Sequence, residues 1–185
     1  MDSGVNGVLD GKLVAAALDG NDAAFGELIK RYKGAVFAIA ARIALDELEI
    51  DEISQEVFVK AYDSLKSYRG EAPFGHWVMR IAANTCRDIL RKRKRRPEHV
   101  PFDKIEYGIA GNEPDGEREI ETLHKAITKL DADDRMLVTM LEIEGKAIKE
   151  VAYILGISEG NVKVRAFRAR KALKDIFEKE ADKHG

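Results

Sequence analysis

Between Pro97 and Gly116 the hydrophobic period of this chain stops, and that interruption decides most of what the chain can become. Pro97, Pro101 and Pro114, with Gly108, Gly111 and Gly116, punctuate a stretch holding few regularly spaced hydrophobes. Such composition reads as a linker. On either side, apolar residues return at three- and four-residue steps, the period of a helix with one buried face. No segment alternates as a strand would. A 185-residue chain cut in this way is expected to be all-α, with two small helical domains joined by a flexible acidic linker. The expected division is residues 1–20 as an N-terminal segment, 21–96 as the first domain, 97–119 as linker, 120–179 as the second domain and 180–185 as a tail.

In the first domain a helix is expected from Asn21, a candidate N-cap, to about Leu45, carrying Phe25, Leu28, Tyr32, Val36, Ile39 and Ile43 inward. A second begins among the acids of Asp46 to Asp51, which suit a helix N-terminus, and carries Ile53, Val57, Phe58, Ala61, Tyr62 and Leu65 along one inward stripe. The stretch KSYRGEAP, residues 66–73, is a break with Gly70 as a turn residue and Pro73 suited to the first turn that follows. The third helix, from about Phe74, buries Phe74, Trp77, Val78, Ile81, Ala82, Thr85 and Ile89, then runs out as RKRKRR.

Charge is blocked rather than mixed. Lys plus Arg (31) against Asp plus Glu (33) leaves a net of −2, which by itself predicts no polyanionic partner. Yet Arg80 to Arg96 holds eight bases against Asp88, and Lys163 to Lys174 holds six bases and no acid. Asp46 to Glu56 holds six acids and no base. Two basic stripes suggest two contacts on a polyanion, and the acidic face suggests a different partner. With a single cysteine, Cys86, neither an internal disulfide nor a cysteine zinc cage can form. No leader and no apolar run approaching a membrane span is evident, so a cytoplasmic protein is expected.

The most informative local sequence is AIKEVAYILGISEGNVKVRAFRARKALK, residues 147–174. Ala147, Val151, Ala152 and Leu155 form an inner face, Gly156 permits the left-handed residue that ends a helix, and Ser158 is a good N-cap for the next. Val162, Ala166, Ala169 and Leu173 then point inward. Two helices joined by a glycine turn, the second basic on its outer side, are a helix-turn-helix. Its reading helix places Asn161, Lys163, Val164, Phe167 and Arg168 nearest base edges, while Arg165 and Arg170 suit phosphates.

The first domain argues against a lone helix-turn-helix regulator. DEISQEVFVKAYDSLKSYRGEAPFGHWVMRIAANTCRDILRKRKRR closely resembles the second conserved region of bacterial sigma factors, and LDADDRMLVTMLEIEGKAIKEVAYILGISEGNVKVRAFRARKAL resembles their fourth. The order and short linker are similar to the extracytoplasmic-function (ECF) group. The resemblance implies that Asp51, Glu52, Gln55, Glu56 and Phe58 dock on the β′ clamp helices of core RNA polymerase, with the β flap as a further polymerase contact. It places Ser54 where relatives usually carry an aliphatic residue. It implies that Lys66, Ser67, Tyr68, Arg69 and Gly70, with Trp77, Arg80, Asn84 and Arg87, capture the minus-ten promoter element. The reading helix then takes the minus-thirty-five element. Trp77 suits the core as well as a contact, and Asn84 suits a plain helix surface.

The resemblance further implies promoter DNA and an anti-sigma factor, often anchored in the membrane, as partners. No catalytic group, metal or cofactor is expected: His76, His99, His124 and His184 are scattered and match neither HExxH nor zinc-finger spacing. Two rivals are a stand-alone dimeric regulator, which would need a palindromic operator and no polymerase, and a nucleic-acid enzyme, which would need a metal-binding carboxylate cluster.

Overall fold

A computed structural model describes residues 3–95, 126–127 and 129–181. The linker, the residues 120–125 that open the second expected domain, and residues 182–185 of the expected tail lie outside the described residues. The chain divides into two units, Met1–Asp103 and Lys104–Gly185, and every described element is helical or a turn. The first unit comprises α1 (Ser3–Leu18), α2 (Asp22–Ala40), α3 (Glu47–Asp63), a 3₁₀ turn (Leu65–Ser67) and α4 (Phe74–Arg95). The second comprises α5 (Ala132–Val138), a π-helical turn (Thr139–Ile143), α6 (Ile148–Leu155) and α7 (Glu159–Ala181).

Side-chain caps set the helix starts. Asn21 Oδ1 accepts from the Ala24 amide at 3.2 Å, Asp46 from Glu49 at 2.8 Å, and Asp131 from Asp134 at 2.9 Å. Each satisfies an amide that has no partner inside its own helix. α2 ends at Ala40, short of the expected Leu45. The reason is competition for the backbone: Arg93 Nη1 donates to the Ile43 carbonyl at 2.6 Å, and the Leu45 amide donates to Glu49 Oε2 at 2.6 Å. Ile43 and Ala44 stay buried within the turn.

In the first unit Leu28, Val36, Ile39, Val57, Phe74 and Val78 are fully buried, where α2, α3 and α4 pack on one another. Residues 1–20, set apart by sequence, contribute a whole helix: α1 packs along α2 and buries Asp10, Val14 and Ala17 on one face. Cys86 is buried with its thiol pushed up to about 12 by burial, so it is a small core hydrophobe and not a nucleophile. In the second unit α5 and α6 both pack on α7, around Met136, Leu137, Met140, Ile154, Leu155 and Val162. Gly156 adopts φ +65° after α6, the left-handed cap expected there, and Ser158 Oγ accepts from the Asn161 amide at 3.2 Å to start α7.

Candidate nucleic-acid interface

The loop joining α3 to α4 rests on four rings. Phe74 is buried at the start of α4, with Trp77 5.4 Å, Tyr68 5.5 Å and Tyr32 5.6 Å away between ring centroids. Tyr68 also lies 5.3 Å from Trp77, and its hydroxyl donates to the Ala72 carbonyl at 2.8 Å, closing the loop on itself. Tyr68 and Trp77 are therefore half-buried, each offering only part of a ring to solvent. Lys66, Ser67, Arg69 and Gly70 are exposed around them, Gly70 at φ +72°. Ser67 Oγ donates to the Ser64 carbonyl at 2.6 Å.

Along α4, Arg80 and Asn84 are exposed one turn apart, and Arg87 donates to Asn84 Oδ1 at 3.0 Å. The basic run is not uniform. Arg93 reaches back to Glu49 and the Ile43 carbonyl, tying the end of α4 to the start of α3. Arg91 pairs with Asp88 at 3.4 Å. Lys92, Lys94 and Arg95 keep to the solvent side, where positive charge also suits a helix C-terminus.

The acidic face of α3 is exposed at Asp51, Glu52, Gln55 and Glu56. Glu56 pairs with Lys60 at 2.6 Å, and Lys60 donates to Thr85 Oγ1 at 3.2 Å. Beside this face a groove of about 500 Å³ opens between α2 and α3, lined by Phe25, Ile29, Phe37, Ser54, Phe58 and Tyr62 among others. Phe58 is half-buried in its wall. Tyr62 is exposed rather than core; its ring meets Phe25 edge-on at 5.0 Å and its hydroxyl donates to Asp22 at 2.9 Å. Ser54 is buried and its hydroxyl has no hydrogen-bond partner among the described residues. A buried unpaired hydroxyl costs stability, so Ser54→Ala is expected to raise the unfolding free energy by about 1 kcal/mol, measured by urea denaturation of the full chain.

In the second unit α7 buries Val162, Ala166 and Ala169 and exposes Asn161, Lys163, Val164, Phe167, Arg168 and Lys171. Phe167 is 67% exposed and Val164 48%. Lys163 and Arg168 have no ion-pair partner among the described residues. The two arginines expected at phosphates are held differently. Arg165 is half-buried against the acidic start of α5, 2.5 Å from Asp134, 3.7 Å from Asp131 and 3.8 Å from Asp133. Burial raises the Asp134 carboxyl pKa, and Arg165 offsets part of that rise. Arg170 makes two bonds to Glu142 Oε1, at 3.0 and 2.6 Å. All four acids lie about thirty residues earlier in sequence than the arginine they meet, beyond the reach of any local pattern.

Among the described residues no group of His, Cys, Asp and Glu is placed to hold a metal, and no helix is long and apolar enough to cross a membrane. Residues 28–96 match the Sigma-70 region 2 family and residues 120–173 match Sigma-70, region 4. The chain is 32% identical to the RNA polymerase sigma-H factor of Pseudomonas aeruginosa, over 89% of this chain and 91% of that one. It is 32% identical to the ECF RNA polymerase sigma-E factor of Escherichia coli, covering 89% and 92%. It is 30% identical to the RNA polymerase sigma factor CnrH of Cupriavidus metallidurans, covering 92% and 95%. The structure of CnrH in complex with the cytosolic domain of CnrY is similar with a TM-score of 0.67 at 28% identity, covering 92% of this chain and 97% of that one. RpoE from Bartonella quintana, solved with the anti-sigma factor NepR, shares the fold with a TM-score of 0.63 at 23% identity, covering 83% and 96%.

Proposed function

The chain belongs to the extracytoplasmic-function sigma factors of bacterial RNA polymerase, and from that premise we propose how its residues divide the work of starting a transcript. As a sigma factor it directs the polymerase to promoters. The exposed strip of α7 reads the minus-thirty-five element: Asn161, Lys163 and Arg168 bond to base edges, and Val164 and Phe167 meet thymine methyl groups. The observation that carries this reading is Phe167, a large aromatic left in solvent among bases on the outer side of a helix-turn-helix. Arg165 acts chiefly as a brace between α5 and α7, and Arg170 reaches phosphate by exchanging Glu142 for it.

The loop 66–70 with Asn84 captures a base of the minus-ten element. Opening a duplex costs unstacking and unpairing, offset when an extruded base enters a fitted pocket. Exposed Lys66, Arg69 and Arg80, half-buried Arg87, and Lys92, Lys94 and Arg95 hold the backbone of the displaced strand. Asp51, Glu52, Gln55 and Glu56, with Phe58 at the groove, dock on the β′ clamp helices, and the second unit meets the β flap. Once polymerase holds both readers, the second contact becomes intramolecular and gains effective concentration. An acidic chain alone should bind promoters poorly.

Because CnrH and RpoE were solved with CnrY and NepR, we assign this chain an anti-sigma factor that covers its polymerase-docking faces, with the sigma factor itself working in the cytoplasm. Bond formation is left to the polymerase. The test is run-off transcription by core polymerase on a library of promoter fragments, with and without the protein. New start sites that depend on the protein are expected. Tight promoter binding by the protein alone, or starts at random positions, would overturn the proposal. Lys163→Ala and Arg168→Ala should each weaken initiation by ~1–3 kcal/mol, read from run-off titrations. Equal activity in both variants removes the base contacts assigned to them.

A further inference from the structure

α1 lies outside the residues that match the family's second region, and it carries a carboxylate into the core. Asp10 is buried on the face it shares with Val14 and Ala17. It accepts from Arg31 Nη1 at 2.7 Å and from the Tyr32 hydroxyl. Burying a carboxylate is costly even when it is paired. A helix whose task ended at covering α2 would be served better by leucine at that position. What the carboxylate adds is direction: it fixes one hydroxyl and one guanidinium at one point along α2. Burial and the neighbouring Asp10 both raise the Tyr32 pKa, so the hydroxyl stays protonated and is always the donor.

Tyr32 also packs tightly against the start of α4. A Cβ built on Gly75 would stand 2.5 Å from Tyr32 Cε1, so only glycine admits the ring there. The same ring packs on Phe74, Phe74 packs on Tyr68, and Tyr68 closes the loop through Ala72. α1 itself touches the 3₁₀ turn that leads into this loop. A continuous series of packed, directional contacts therefore runs from Asp10 to the loop 68–72.

We infer that Asp10 and Tyr32 are a positioning pair that braces the minus-ten loop from behind, making the N-terminal helix part of the apparatus that opens the promoter. This rests on the reading that the loop captures a minus-ten base. A captured base supplies energy only if its pocket is already in place when the duplex breathes. A loop that must first be ordered gives part of that energy back.

The test compares wild type, Asp10→Asn and Tyr32→Phe as full-length proteins with core polymerase. Both substitutions keep size and shape; Tyr32→Phe keeps the ring on Phe74 and Gly75. Run-off transcription is measured on a duplex promoter chosen by the wild-type holoenzyme and on the same promoter pre-opened by mismatches across the minus-ten element. Polymerase binding is titrated alongside. Each variant should lose about tenfold on the duplex, the equivalent of one charge-assisted hydrogen bond. Each should recover to within about twofold on the pre-opened template, with polymerase binding unchanged. The double variant should be no worse than either single one. Equal loss on both templates, or weakened polymerase binding, would mean the pair only holds the fold together, and wild-type rates on the duplex would also sink the inference. If wild type itself selects no promoter, it is the proposed function that fails.

Discussion

Truncating Phe74 to alanine is expected to lower the stability of the first unit by about 3–5 kcal/mol, read from urea denaturation followed through tryptophan fluorescence. Trp77 is the sole tryptophan of the chain, so the signal reports the first unit and leaves the second silent. Phe74 is fully buried, and three other aromatic rings meet it. Its removal leaves a cavity and forfeits edge and tilted ring contacts worth about 0.5–1.5 kcal/mol each beyond area burial. Tyr68 and Trp77 then have nothing behind them, so promoter opening should fall with stability. Phe167→Ala makes the control. Its ring is 67% exposed, so its loss should change the stability of the second unit, followed by circular dichroism, by less than ~0.5 kcal/mol and register in promoter binding. A first unit that unfolds within about 1 kcal/mol of wild type after loss of Phe74 would show that the ring cluster is not what supports the loop.

The helices were readable in the sequence because their inward residues recur at the helical period: Leu28, Val36 and Ile39, or Val162, Ala166 and Ala169, are buried as that period requires. The glycine turn and both of its caps were equally readable, since each is a local exchange of backbone and side-chain bonds. α1 was not. Gly4, Gly7 and Gly11 weaken its helical signal, Val8, Leu9 and Leu18 lie exposed, and a lone Asp10 reads as a solvated acid until Arg31 and Tyr32 are seen beside it. Pairing across the chain is the other thing sequence hides. Arg93, Arg165 and Arg170 sit in basic runs and look alike there, yet their acids lie 44, 31 and 28 residues away. Charge blocks therefore overstate the bases left without an acid partner; Lys163, Arg168 and Lys171 in one unit and Lys92, Lys94 and Arg95 in the other are among those that folding leaves exposed.

Reversing charge at Asp51 and Glu52 together, both to lysine, is expected to weaken binding to core polymerase by at least about 100-fold, roughly 3 kcal/mol. Both side chains are exposed and neither makes an ion pair or hydrogen bond among the described residues, so the helix gives up no contact when they change. Glu49 and Glu56, which do hold Arg93 and Lys60, are left in place. Stability by Trp77 fluorescence should therefore stay within ~0.5 kcal/mol of wild type. Close charge pairs across an interface carry coupling energies of about 1.5–7 kcal/mol, and reversal adds repulsion to the lost attraction. Wild-type binding should weaken as salt rises, because exposed charges are screened beyond about 10 Å at 0.1 M, whereas the double variant should show little salt dependence. Titration of labelled protein with core polymerase at two ionic strengths measures both effects. Unchanged affinity would place the docking surface elsewhere. The consequence for transcription is larger than the local chemistry suggests: α7 keeps Lys163, Val164, Phe167 and Arg168 untouched, yet initiation should vanish, because the proposed function has two weak readers that select a promoter only while polymerase holds them on the same DNA.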